Sequence, residues 1–120
     1  MALILLVEDN DLIAKLYKEK IERSGYLIEL SSSVSEALTK LSKQEYSLIL
    51  LDIMLAGNQN GFDLLEIMKK DNKYKSIPVI VVTNLDGQEK TAFEMGASDY
   101  LVKSNITLDT LLEKINNLLK

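Results

Sequence analysis

Glu8-Asp9, Asp52, Thr83 and Lys103 are the side chains of this sequence best suited to chemistry. Each sits where a run of apolar residues stops. Leu3-Ile4-Leu5-Leu6-Val7 runs into Glu8-Asp9, and Leu48-Ile49-Leu50-Leu51 runs into Asp52. Val79-Ile80-Val81-Val82 ends at the hydroxyl of Thr83, and Tyr100-Leu101-Val102 ends at Lys103. Short aliphatic runs with polar ends read as buried strands of a parallel sheet. In an open parallel sheet, ligands bind just outside the carboxyl ends of the strands. Side by side, these runs would bring three carboxylates, an ammonium and a hydroxyl to one crevice. Such a set suits a divalent cation together with a phosphoryl group. The chain has no histidine and no cysteine. Metal binding must then be by oxygen, which favours magnesium, manganese or calcium over zinc.

The elements that would position these residues alternate in type. Strands are expected at 2–7, 26–31, 47–51, 79–82 and 99–102. The second carries Glu29 and flanking serines, as suits a sheet edge. Helix 1 is expected at about 10–24, with Leu12, Ile13, Leu16, Tyr17 and Ile21 on one face and Gly25 as its stop. Helix 2 starts at Ser33, where Ser33-x-x-Glu36 reads as a capping box. Gly57-Asn58-Gln59-Asn60-Gly61 reads as a loop before helix 3 at about 62–70. Asp86 and Glu89 are expected to cap helix 4, about 87–95. Helix 5 begins near Thr107, with an apolar stripe of Leu108, Leu111, Leu112, Ile115, Leu118 and Leu119. Five βα units predict one α/β domain over 1–120, a doubly wound five-stranded parallel sheet. Right-handed crossovers and the flavodoxin-like order 2-1-3-4-5 place the switch point between strands 1 and 3. Glu8, Asp9 and Asp52 then meet there.

Composition narrows the function. The 120 residues carry a net charge of −4 with both signs interspersed, which argues against a basic nucleic-acid-binding stripe. No apolar run is as long as a membrane span, and the N-terminus has no basic leader, so a cytoplasmic protein is expected. Without cysteine or histidine, thiol catalysis and a Ser-His-Asp triad are excluded.

From end to end the chain resembles the receiver domain of bacterial two-component response regulators. The resemblance is carried by Leu5-Leu6-Val7-Glu8-Asp9-Asn10, Leu50-Leu51-Asp52-Ile53-Met54-Leu55, Pro78-Val79-Ile80-Val81-Val82-Thr83, Gly96-Ala97-Ser98-Asp99-Tyr100 and Leu101-Val102-Lys103. It looks like a single-domain, chemotaxis-regulator-like protein, or an excised receiver. The resemblance implies that Asp52 is the phosphoacceptor. It also implies Mg2+ held by Asp9, by Asp52, by the Met54 backbone carbonyl and, through water, by Glu8. Thr83 and Tyr100 would be the switch pair, and Lys103 would contact the phosphoryl group. The implied partners are a sensor histidine kinase or histidine phosphotransfer protein and an unidentified output protein reached through the helix 4–strand 5–helix 5 face. The chain would be a monomer or weak dimer. It would be no enzyme in the ordinary sense, only an acceptor assisting its own phosphorylation and dephosphorylation.

Each residue also has a plainer role. Asp52 alone would be a helix-capping acid, Glu8-Asp9 a favourable charge at a helix N-terminus, Thr83 a β-branched strand residue, Tyr100 a half-buried aromatic, and Lys103 a solvated lysine. Their convergence at neighbouring strand ends favours the chemical reading. Three departures from the family pattern stand out. Ser104 follows Lys103 where proline after a cis bond is usual; a cis bond before serine would cost about 3–4 kcal/mol, so trans is expected, with Lys103 shifted. Asn84 replaces a small residue and is expected to narrow access to the site. The loop from Asp52 to Gly61 is one residue longer than usual, with Ala56 where proline is common. Two rival functions remain in view. A magnesium-dependent aspartate-nucleophile phosphatase would need a second acid where Met54 stands. A pseudo-receiver that is never phosphorylated would not need Asp9, Asp52, Thr83 and Lys103 together.

Overall fold

The computed structural model describes residues 2–120. Five strands, β1 (Leu3–Val7), β2 (Leu27–Ser31), β3 (Leu48–Leu51), β4 (Val79–Thr83) and β5 (Asp99–Val102), form one parallel sheet. Their order is β2-β1-β3-β4-β5, as the sequence predicts. Between and after them lie α1 (Asp11–Arg23), α2 (Val34–Lys43), α3 (Gly61–Lys70), α4 (Glu89–Glu94) and α5 (Leu108–Leu119). A single 3₁₀ turn, Lys103–Asn105, separates β5 from α5.

Alternation along each strand explains why the central strands are apolar throughout. Successive side chains point to opposite faces, and here both faces are covered. Leu5, Val7, Ile49, Leu51, Val79 and Val81 pack against Ala37 and Leu41 of α2, Leu64, Leu65 and Met68 of α3, and Ala92 of α4. Ile4, Leu6, Leu48, Leu50, Ile80 and Val82 pack against Ala14 and Ile21 of α1 and Leu111 and Ile115 of α5. β2 lies at the edge, where Leu27 is exposed and Glu29 is half-buried.

Helix ends follow local chemistry, with three corrections to expectation. The Ser33 side chain accepts from the Glu36 N–H, but the Glu36 carboxylate accepts from Ser32 rather than from Ser33, so only half of a capping box forms. The complete box lies instead at α3. There the Asn60 side chain accepts from Phe62 and Asp63, and the Asp63 carboxylate accepts from the Asn60 N–H. α4 is shorter than the expected 87–95, and Asp86 and Glu89 do not cap it. Both carboxylates accept from Gly87 N–H, and Gln88 at the helix start makes no side-chain capping bond. Gly25 does end α1, at a φ of 97° that suits glycine.

Candidate functional site: an acidic crevice at the sheet switch point

The register of β1 against β3 pairs Val7 with Leu51. The next residue on each strand is therefore the acid, Glu8 or Asp52. The backbone locks this arrangement, because Asp52 N–H donates to the Val7 carbonyl at 3.0 Å. Glu8 and Asp52 are only 4% and 5% exposed, while Asp9 is half-buried. One carboxylate oxygen from each of the three lies within 4.8 Å of the others.

Lys103 reaches this cluster from β5. Its Nζ donates to Asp52 Oδ2 at 2.8 Å and also to Glu8 Oε1. The sequence anticipates the Asp52 contact; the shared bond to Glu8 goes beyond it. The ammonium thus fills the role of a counter-ion that three adjacent acids need. Burial alone would lower the Lys103 pKa, but hydrogen bonds and charge from Asp52 and Glu8 outweigh it and raise the value. Glu8 is raised as well, chiefly by burial and further by the charge of Asp52, against the lowering bonds from Lys103 and the Asn10 N–H. No cis peptide bond is found among the described residues, so Lys103-Ser104 is trans as expected, and Lys103 nevertheless reaches the acids.

The remaining oxygens are held by backbone amides. Asp52 Oδ1 accepts from Met54 N–H at 3.0 Å, and Glu8 Oε2 accepts from Asn10 N–H at 3.1 Å. Asp9 Oδ2 accepts from Ala56 N–H at 2.9 Å, which ties the loop after β3 to the end of β1. That bond is not legible in the sequence, since it depends on loop conformation. Gly61 is likewise more than a loop residue. A Cβ there would lie 2.3 Å from the Asp52 carbonyl oxygen and 2.8 Å from Ile53 Cα, so only glycine lets α3 start against the Asp52 backbone.

Thr83 is fully buried, and its Oγ1 accepts from Leu85 N–H at 3.3 Å. Tyr100 is more buried than the plainer reading of a half-buried aromatic would have it. It is 8% exposed, with its ring inward and its hydroxyl donating to the Leu85 carbonyl. Thr83 and Tyr100 therefore both grip Leu85, one by its N–H and the other by its C=O. Asn84, next along the chain, accepts from Ser104 N–H through its Oδ1 at 3.2 Å, a contact its size alone does not signal.

The all-oxygen donor set fits magnesium better than a soft metal. Both oxygens of Glu8 and both of Asp52 already accept hydrogen bonds, whereas Asp9 uses only Oδ2, so an incoming ion would compete with Lys103 for Asp52.

Comparison with known proteins settles the family. The model of the response regulator receiver domain matches residues 4–116. The chain belongs to the response regulator receiver domain family. Receiver domains are phosphorylation-dependent signalling modules of two-component systems rather than classical enzymes. The chain is 34% identical to the polar-differentiation response regulator DivK of Brucella ovis, covering 97% of this chain and 94% of DivK. It is 33% identical to the uncharacterized transcriptional regulatory protein YkoG of Bacillus subtilis, over 98% of this chain but 50% of YkoG. It spans about half the length of several curated transcriptional regulators that it matches. A solved relative is the response regulator TrrA of Thermotoga maritima in complex with Mg2+ and BeF, with a TM-score of 0.88 and 31% identity over 98% of this chain and 99% of that one. Among the described residues, no helix is long and apolar enough to cross a membrane.

Proposed function

We propose that this receiver domain takes a phosphoryl group onto Asp52 and signals by protein–protein interaction. The observation that carries this reading is the Asp9–Asp52–Lys103 constellation: two acids with oxygens within 4.8 Å of each other and a cation bonded to one of them, from three different strand ends. A carboxylate is a competent nucleophile for phosphoryl transfer. An Asp52 oxygen attacks phosphorus while the bond from phosphorus to the donor breaks. The chain lacks histidine, so a phosphohistidine donor must belong to a partner, a sensor histidine kinase or phosphotransfer protein. In that case the P–N bond breaks and the imidazole leaves with its electron pair, taking up a proton.

Magnesium, when bound, supplies neutralisation of the phosphoryl charge and orients its oxygens. Asp9 and Asp52 would hold it directly, the Met54 carbonyl would complete the protein ligands, and Glu8 would act through water. Lys103 donates to the phosphoryl oxygens, so its ammonium passes from a carboxylate in the resting state to the transferred group. The Thr83 hydroxyl exchanges Leu85 N–H for a phosphoryl oxygen, and the loop after β4 follows it. Because Tyr100 holds the Leu85 carbonyl, the same movement is felt at the outer face of β5. That is a local charge event read by a packed element.

The incoming partner would meet Leu12 and Leu16 on α1 and Met54 beside the site, at 73%, 55% and 56% exposure. Exposed apolar side chains grouped around a functional crevice suit a docking surface. The output protein would contact α4, β5 and α5, where Phe93 is exposed. Setting Met54 where a phosphatase would need its second acid disfavours that enzyme reading.

Backbone NMR with Mg2+ and beryllofluoride tests the proposal. Resonances of Asp52, Thr83, Leu85, Tyr100 and Lys103 should move, and Asp52→Ala should abolish the response. An unresponsive wild type, or an equal response in Asp52→Ala, overturns the assignment.

A further inference from the structure

The path of Lys103 poses a geometric problem. β4 lies between β5 and β3, and β1 lies one strand further on. Neighbouring strands are about 4.8 Å apart, so about 10 Å separates β5 from β3. The Lys103 stem must cross the end of β4 to bring its ammonium onto Asp52 and Glu8. A flexible four-carbon stem does this reproducibly only if the backbone leaves β5 at a fixed angle. The chain does turn there, into the 3₁₀ turn Lys103–Asn105.

The residue that follows β4 holds that turn. The last pair of the β4–β5 ladder is Thr83 with Val102, so Asn84 and Lys103 are the next residues on the two strands. The Asn84 side chain accepts a hydrogen bond from Ser104 N–H. This donor belongs to the peptide unit that carries the Lys103 carbonyl, so holding it fixes how Lys103 faces the crevice. Proline at position 104 would have no N–H to offer. We propose that Asn84 is a positioning residue: by accepting from Ser104 N–H it sets the Lys103-Ser104 peptide and so aims the Lys103 ammonium at Asp52. The consequence for rate rests on the phosphoacceptor reading given above; the consequence for Lys103 itself does not.

Three substitutions separate aim from bulk. Asn84→Leu keeps the size and loses the acceptor, Asn84→Ala loses both, and Asn84→Asp keeps the acceptor. The first readout uses NMR of the metal-free protein and follows the Ser104 amide proton and hydrogen exchange of the Lys103 ammonium. Leu and Ala should both shift the Ser104 amide and speed ammonium exchange at least threefold, while Asp stays near wild type. The second readout uses phosphoramidate as donor with Mg2+. Leu and Ala should slow phosphorylation three- to tenfold, the range that one modest hydrogen bond spans, with Mg2+ affinity within twofold of wild type. Unchanged Lys103 exchange in Asn84→Leu overturns the inference. So does Asn84→Ala reacting faster than wild type while Asn84→Leu matches it, since that pattern means Asn84 acts by blocking access. A wild type that takes no phosphoryl group defeats the phosphoacceptor reading instead, and the metal-free NMR still decides the role of Asn84.

Discussion

Replacing Lys103 with methionine keeps most of the side-chain volume and removes the ammonium shared by Glu8 and Asp52. Both acids are almost fully buried, and removing one partner of a buried charge pair costs about 3–5 kcal/mol in general. Here a ceiling applies, because the variant can instead protonate one carboxyl and let the two share that proton. For a carboxyl of ordinary value 4.5, protonation costs about 3.4 kcal/mol at pH 7 and about 0.7 kcal/mol at pH 5. Lys103→Met should therefore lose about 2–3.5 kcal/mol at pH 7 and less than about 1 kcal/mol at pH 5. The sign follows from linkage. In the variant the folded carboxyl pKa rises further above its unfolded value, so the penalty is small near the unfolded pKa and grows as pH rises through the folded one. In the wild type the raised Lys103 pKa keeps the ammonium contribution whole at every pH below its ordinary 10.5, so it is constant between pH 5 and 7. Urea unfolding in EDTA at both pH values measures the difference. Mg2+ should stabilise the variant more than the wild type, since it replaces the missing cation. A loss below about 0.5 kcal/mol at pH 7, or one equal at both pH values, would refute the claim that Lys103 is the counter-ion of the crevice.

Other outcomes follow from single contacts. Gly61→Ala should cost about 1–3 kcal/mol in urea unfolding and shift the Asp52 and Met54 amides, because its Cβ meets the Asp52 carbonyl oxygen. Asn60→Ala should cost about 1 kcal/mol in the same assay, through loss of the α3 cap. Asp9→Asn should weaken Mg2+ binding at least about tenfold by NMR titration, whereas Thr83→Ala should leave it unchanged. Away from the site, the Tyr46 hydroxyl donates to Glu29 at 2.6 Å and holds that carboxyl below its usual range. Tyr46→Phe should raise the Glu29 pKa, read by carboxyl carbon NMR. The stability that Glu29 contributes above its unfolded pKa, lost as pH falls through the folded one, should shrink accordingly.

Strand order and the meeting of Glu8, Asp9, Asp52 and Lys103 were legible because hydrophobic runs and their polar ends are local patterns that a parallel sheet converts into geometry. Thr83 was found by the same logic, whereas Tyr100 came only from the family resemblance, which did not reveal its hydroxyl bond to the Leu85 carbonyl. Ring orientation depends on whether the Leu85 carbonyl is free to accept, which no local pattern encodes. Caps failed at Asp86 and Glu89 because two acids near a helix start read alike whether they serve the helix or a preceding glycine. The box at Asn60 and Asp63 was missed for the opposite reason: Asn60-Gly61 signals a loop so strongly that the helix start within it is hidden. Asn84 was read by its size alone, since its partner Ser104 is on another strand end.

The seat of α3 on Asp52 has a consequence for the engineering of this domain. Gly61 N–H donates to the Ile53 carbonyl at 2.9 Å, closing the intervening loop at its neck. Its first half is pinned by Met54 on Asp52 and Ala56 on Asp9. Gly57, Asn58 and Gln59 are exposed beyond those ties. Chain inserted at Asn58 would hang outside a closed ring, and lengthening such a loop adds only about 0.6 kcal/mol per doubling. The exposed tip of this loop thus marks an insertion port, a place where a reporter peptide can be grafted beside the acidic crevice without displacing Asp52.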